Sequence, residues 1–239
     1  MPYSYYGYGD FLANNIYVIL LIPVLLLSVW AQAQVSGSFR RYSRVANRRH
    51  LTGAQAAEAV LRSHGIYDVP VRSCRGNLTD HYDPRDNTIY LSENVYAAST
   101  VAAVGVACHE AGHAVQYAVG YGPIKVRSAI IPVTQIGSNL AFPLFLLGML
   151  FSYPPLMDAG ILLFALVAVF QLVTLPVEYN ASSRAVATLS GSGMVSAEEE
   201  RGVRKVLSAA ALTYVAALAT ALANLLRLIL IAGRRNNRN

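Results

Sequence analysis

Charge is scarce in this chain. Only 13% of its 239 residues are Asp, Glu, Lys or Arg, against about 25% in a typical soluble domain. With 54% hydrophobic residues, the composition excludes disorder and argues against a purely water-soluble enzyme. Cysteine is scarcer still. Cys74 and Cys108 alone make neither a disulfide framework nor a cysteine-rich zinc site. Acidic residues are outnumbered, and the net charge is +6. The basic residues bunch beside apolar runs, however, so they read as membrane topology signals and not as a nucleic-acid surface. Internal repeats and low-complexity linkers are also missing.

The first apolar run, Ile16 to Ala31, approaches the ~20 residues of a membrane span once Ala33 and Val35 extend it. No Lys or Arg precedes it in residues 1–15, while Arg40, Arg41, Arg44, Arg48 and Arg49 follow. That order is wrong for a cleaved signal peptide and right for a retained anchor with its arginines in the cytoplasm. Two further apolar stretches, about 130–151 and 159–175, flank Ser152-Tyr153-Pro154-Pro155, which predicts a helical hairpin. Lys125, Arg127 and Arg184 place both its feet in the cytoplasm. A fourth run, about 206–231, contains Arg227 and ends in Arg234, Arg235 and Arg238. Two arrangements fit it: a full crossing that leaves those arginines outside, or a helix packed on the catalytic region or in the interface. The tyrosines at 3, 5, 6 and 8 read as an interfacial or flexible start.

The extended polar region, about 36–127, carries its own small elements. Residues 52–64 suit an amphipathic helix capped by Thr52. Val69–Val71 and Thr88–Leu91 read as strands around a turn-rich Asp80–Asn87. Residues Thr100–Val119 form the next helix, closed by Gly120.

On that helix stands His109-Glu110-Ala111-Gly112-His113. Histidines four apart share a helical face and can reach one metal ion. Glu110, about 100° around the helix, is placed to take a proton from water beside that ion instead of binding it. A buried Ala/Val-rich helix would carry these three polar groups at a cost if they had no purpose. A catalytic zinc site uses three protein ligands. The zincin pattern with a third histidine six residues on fails, because Gln116 and Val119 occupy its glycine and histidine positions. Glu178 is the strongest third candidate, a lone carboxylate just after the third apolar run. Pro176 there is expected to start a new helix returning toward the histidines. Asp80, His81 and Asp83 are rival ligands, though they read more as a strand-turn lining the cleft. Cys108 reads as a small buried helix residue.

Several segments in order carry a resemblance: Leu51–Gly53, Gly76–Pro84, Leu91-Ser92, Gly105–Ala114, Val173–Glu178 and Ala210–Tyr214. Together they resemble the YugP-type membrane zinc metallopeptidases along nearly the whole chain. The resemblance implies one Zn²⁺ held by His109, His113 and Glu178, with Glu110 as catalytic acid/base. The chain is also distantly similar to HtpX-type membrane peptidases, which carry an acid four residues after the ligand glutamate, where Ser182 stands here. Asn180 or Arg184 then becomes the candidate to orient Glu178.

The expected fold is a mainly α membrane protein, a zincin-like catalytic domain with a small β element joined to about four hydrophobic helices. Its expected parts are an anchor (1–35), a cytoplasmic zinc-peptidase region (36–127), a transmembrane hairpin (128–176), a third-ligand helix and connector (177–205), and a C-terminal hydrophobic helix with a basic tail (206–239). The expected function is zinc-dependent endopeptidase activity on membrane or misfolded proteins, in the cytoplasmic membrane with the site facing the cytoplasm. No nucleic-acid partner is expected. His81, Tyr82, Tyr179 and Arg184 are candidates to stabilise the oxyanion, and Thr88–Leu91 is a candidate edge for an extended substrate. The competing readings are a zinc-containing membrane scaffold and a partner-binding protein using the basic patch Arg40–Arg49. An intact Glu110 argues against the first, since a structural site needs no base. A lipid-facing stop-transfer role explains the arginines without a partner.

Overall fold

The computed structural model describes residues 18–236, so the tyrosines at 3 to 8 and Arg238 lie outside the described residues. In chain order the elements are α1 (Leu21–Tyr42), α2 (Gly53–Ser63), β1 (Val71–Cys74), β2 (His81–Asp83), β3 (Thr88–Ser92), α3 (Glu93–Tyr96), α4 (Val101–Ala118), α5 (Gly122–Leu150), α6 (Pro154–Gly191) and α7 (Ala197–Asn236). The protein is a mainly α membrane protein. Four of its helices, α1, α5, α6 and α7, are long and apolar enough to cross a bilayer.

The chain divides into two compact units. The first comprises Met1–Trp30, Ile130–Leu172 and Tyr214–Asn239. Here the hairpin arms α5 and α6 approach closely because glycine stands at the contact. A Cβ on Gly160 would lie 2.7 Å from the carbonyl oxygen of Ala141, and one on Gly148 would lie 2.6 Å from the backbone nitrogen of Met157. Small residues let apolar helices meet backbone to backbone where hydrophobic driving force is weak. Ser152, at φ +54°, turns the chain between the arms. Near that turn Phe145 and Met157 pack against Leu228 of α7, so the far end of α7 lies at the level of the hairpin tip. The hydroxyls of Ser28 and Thr220 meet at 3.4 Å.

The second unit comprises Ala31–Ala129 and Val173–Thr213. Thr52 caps α2 in a reciprocal box with Gln55. Thr100 caps α4, and Gly120, which the sequence predicts to close it, follows at φ +64°. The three-stranded sheet has the order β1-β3-β2, with β1 parallel and β2 antiparallel to β3. β3 is therefore central and both its edges are paired, which removes Thr88–Leu91 as a docking edge. The free edges belong to β1 and β2. The first strand also begins at Val71, where the expected one ended. Ile89 and Leu91 are fully buried and join Val60 of α2 and Val104, Ala107, Cys108, Ala111 and Val115 of α4 in one core. Ala185, Leu189 and Val203 close it from α6 and α7. Burial pushes the Cys108 thiol above its ordinary pKa, consistent with a packing role.

The break expected at Pro176 is absent. α6 runs unbroken from Pro154 to Gly191 with Pro176 inside it. A proline removes one hydrogen bond and crowds the preceding turn, yet long apolar helices tolerate it when neighbours support the freed groups. Glu178 thus sits on the helix that also carries the third apolar run.

Candidate metal centre

Helix α4 brings His109 and His113 onto one face, with their rings edge-to-face and centroids 4.7 Å apart. Helix α6 supplies Glu178 from the other side. The two helices come this close at one point: a Cβ on Gly112 would stand 2.6 Å from the carbonyl oxygen of Ala181. Nε2 of His109 lies 3.3 Å and Nε2 of His113 lies 3.6 Å from the same oxygen, Oε2 of Glu178. Zn–N and Zn–O bonds of ~2.0–2.1 Å at tetrahedral angles put ligand atoms about 3.3–3.4 Å apart. The separations therefore fit a zinc ion, and so does the donor chemistry of two imidazoles and a carboxylate. Among the described residues these three form the one group of His, Cys, Asp or Glu close enough to hold a metal ion.

Each of these three side chains has a further contact. Ser182 Oγ is 3.1 Å from Nδ1 of His109. Gln116 Oε1 is 3.0 Å from Nδ1 of His113, and its Nε2 donates to Val177 O and to Asn180 Oδ1 on α6. Ser182 Oγ and Gln116 Oε1 can each accept from an Nδ1–H, which would free the Nε2 lone pairs for a metal ion, the arrangement a metal-binding histidine requires. His113 is buried, which works against its charged form, but Glu178, Glu110 and Gln116 more than offset this and raise its pKa. Glu178 itself is only 2% exposed, and its second oxygen, Oε1, lies 3.9 Å from Nη2 of Arg127. A buried carboxylate so surrounded is built to meet positive charge.

Glu110 stands apart from this trio and is buried beside it at 9% exposure. The backbone N–H of Tyr82 on β2 donates to its Oε2 at 3.1 Å. The rival ligands are engaged elsewhere. Asp80 accepts from the backbone and hydroxyl of Ser92. His81 stacks on Tyr90 and contacts Thr79 O. Arg85 grips Asp83 and lowers its pKa to about 2.

The structure also corrects the partners expected around Glu178. Arg184 donates to Asn180 Oδ1 at 2.8 Å and does not pair with Glu178. The nearest guanidinium is that of Arg127, which the sequence offered only as a topology marker. In the sequence Gln116 stands where the third-histidine pattern has a glycine, and a polar residue one turn after His113 on an Ala/Val helix is itself a signal. Ser182, one turn after Glu178, supplies a hydroxyl to His109.

Replacing Ser182 by Ala leaves Nδ1 of His109 without its hydroxyl partner while filling nearly the same space. Zinc affinity, measured by competition with a chelator, is expected to fall about tenfold or more with the fold intact. An unchanged affinity would show that His109 is oriented without Ser182.

A family model described as "Putative neutral zinc metallopeptidase" matches residues 17–233. The chain is 48% identical over 216 residues to "Putative membrane protease YugP" of Bacillus subtilis (strain 168), covering 90% of this chain and 96% of that relative. No solved structure matches it.

Proposed function

Because the chain belongs to this family of neutral zinc metallopeptidases, we propose that it is a membrane-bound endopeptidase holding one Zn²⁺ between His109, His113 and Glu178, with Glu110 as general acid/base. The observation that carries this reading is the pair of tetrahedral-edge distances, 3.3 and 3.6 Å, from the two imidazoles to one Glu178 oxygen. A buried carboxylate that is not part of the trio stands beside them. Bound zinc would lower the pKa of a water ligand toward ~7 and polarise the scissile carbonyl.

The residues divide the remaining work. Glu110, held by the Tyr82 N–H, takes a proton from the attacking water and later delivers it to the leaving nitrogen. His109 and His113 are kept as lone-pair donors by Ser182 and Gln116. Among the described residues β2 has no strand on its outer side, but its Tyr82 N–H is already given to Glu110, so an extended substrate is expected to lie alongside β2 and not to pair with that N–H. Since β2 also supplies the N–H on Glu110, a peptide along that edge passes the base.

The substrates best suited to this setting are tails, loops and misfolded segments of membrane proteins. Arg40, Arg41, Arg44, Arg48 and Arg49 after α1, with Lys125, Arg127 and Arg184 around the hairpin's feet, support a cytoplasmic site in the cytoplasmic membrane. The packing of Leu228 beside Phe145 and Met157 near the hairpin tip supports a full crossing by α7. That crossing puts Arg234, Arg235 and Arg238 outside, a local exception to the charge bias.

The test is metal removal. Purified protein in detergent, with zinc, is expected to cleave an unfolded protein, lose that activity with a strong zinc chelator, and recover it when zinc is restored. Cleavage that survives complete removal of zinc would sink the proposal.

A further inference from the structure

Resting on the peptidase reading, we propose that Arg127 is a catalytic residue, the donor that receives the negative charge forming on the carbonyl oxygen of the scissile bond. Peptide hydrolysis needs such a group. The water oxygen bonds to the carbonyl carbon while the C=O π pair moves onto the carbonyl oxygen. When the C–N bond breaks, that pair re-forms C=O, and the nitrogen takes the proton held by Glu110. A donor fixed at the oxygen lowers the barrier of both steps.

Three of the four candidates named from the sequence are already engaged elsewhere. The His81 ring is stacked on Tyr90. The Tyr82 hydroxyl donates to Asn87 Oδ1 at 2.7 Å. Arg184 is held by Asn180, and Tyr179 is half exposed one residue past Glu178. Arg127 differs from them in three ways. Its Nη2 reaches within 3.9 Å of Glu178 Oε1, the oxygen turned away from the histidines. That distance is too long to be a hydrogen bond, so this contact leaves the Nη2 donors unengaged. Its Nε is inaccessible to solvent and has no hydrogen-bond partner. A buried unpaired donor costs about 1–3 kcal/mol, a cost that a ligand oxygen arriving at the guanidinium would offset. The side chain is still 28% exposed, so a substrate can reach it. The corner carrying it is fixed, because Ser128 next door is hydrogen-bonded to the Tyr117 hydroxyl on α4.

The experiment uses the full-length protein, Arg127→Gln and Arg127→Lys, with a quenched fluorescent peptide as substrate. It adds two inhibitors built on one peptide sequence: a phosphinic peptide, tetrahedral and anionic like the charged intermediate, and a planar hydroxamate. For Arg127→Gln, kcat and phosphinic-peptide affinity are both expected to fall ~100-fold, with KM and hydroxamate affinity within ~3-fold of wild type. Zinc content by mass spectrometry and apo-protein Tm should hold, and Arg127→Lys should fall between, keeping charge but losing the planar fork. Loss of zinc, or a raised KM at unchanged kcat, would overturn the assignment. Absence of cleavage by wild type would count against the peptidase reading alone. The phosphinic affinities still decide the role of Arg127, and equal values for wild type and Arg127→Gln would refute it.

Discussion

Replacing Glu110 by Gln should reduce peptide cleavage by about a thousandfold or more while leaving zinc in place, since a positioned general base contributes about 10²–10⁴. The amide matches the carboxylate in shape and keeps an oxygen for the Tyr82 N–H, which donates to Glu110 at 3.1 Å. What it loses is the proton-accepting group that the proposed mechanism assigns to this position. The variant separates chemistry from architecture because Glu110 is outside the group that could hold the metal, His109, His113 and Glu178. Products read by mass spectrometry, alongside zinc per chain, settle it. Equal cleavage by wild type and variant would point to a contaminating protease and remove Glu110 from the mechanism.

A second large effect is expected far from any proton. Gly112 has no catalytic group, yet a Cβ there would meet Ala181 backbone atoms at 2.6 and 3.2 Å. Backbone cannot step aside as a side-chain tip can, so Gly112→Ala must push α4 and α6 apart. Overpacking of this kind costs about 1–3 kcal/mol, partly offset by the ~1 kcal/mol by which alanine favours a helix over glycine. The net cost of about 0–2 kcal/mol should lower the apo-protein Tm by no more than ~8 °C. Zinc affinity should fall by at least ~10-fold, the scale on which displaced supporting groups act, because the histidines sit on one helix and Glu178 on the other. Gly37→Ala on α1, with nothing within 4 Å of the added carbon, is the control and should leave affinity unchanged. A wild-type zinc affinity in Gly112→Ala would mean that the helix contact does not set the site.

Local signals carried much of this molecule. The cap at Thr52, the glycine at 120 and the prolines at 154 and 155 each act through nearby backbone, so the corresponding helices and turn were legible. The long apolar runs and their flanking arginines announced the membrane helices. The two histidines, four apart on one helix, needed only helical periodicity. Glu178 was reachable because a carboxylate beside an apolar run is costly.

What failed depended on distant partners. Whether Thr88–Ser92 is an edge or a central strand is decided by two other strands, and nothing within it tells. Pro176 carries a strong local preference for a break, which the continuing helix overrides. Arg127 and Glu178 are 51 positions apart, and their proximity depends on how α5 and α6 pack against α4.

Gln116 links two requirements that are usually separate. One end of its amide faces His113, and the other holds Val177 and Asn180 on the facing helix. The bearing of the His113 ring and the spacing of two helices are thus one mechanical variable. Changes at Gly112 and Gln116 should combine non-additively, since residues that share partners couple by about 0.5–3 kcal/mol. A variant that has already loosened the helix contact has less left to lose at the amide. The two positions form a single genetic unit, in which a substitution at one alters what the other will tolerate.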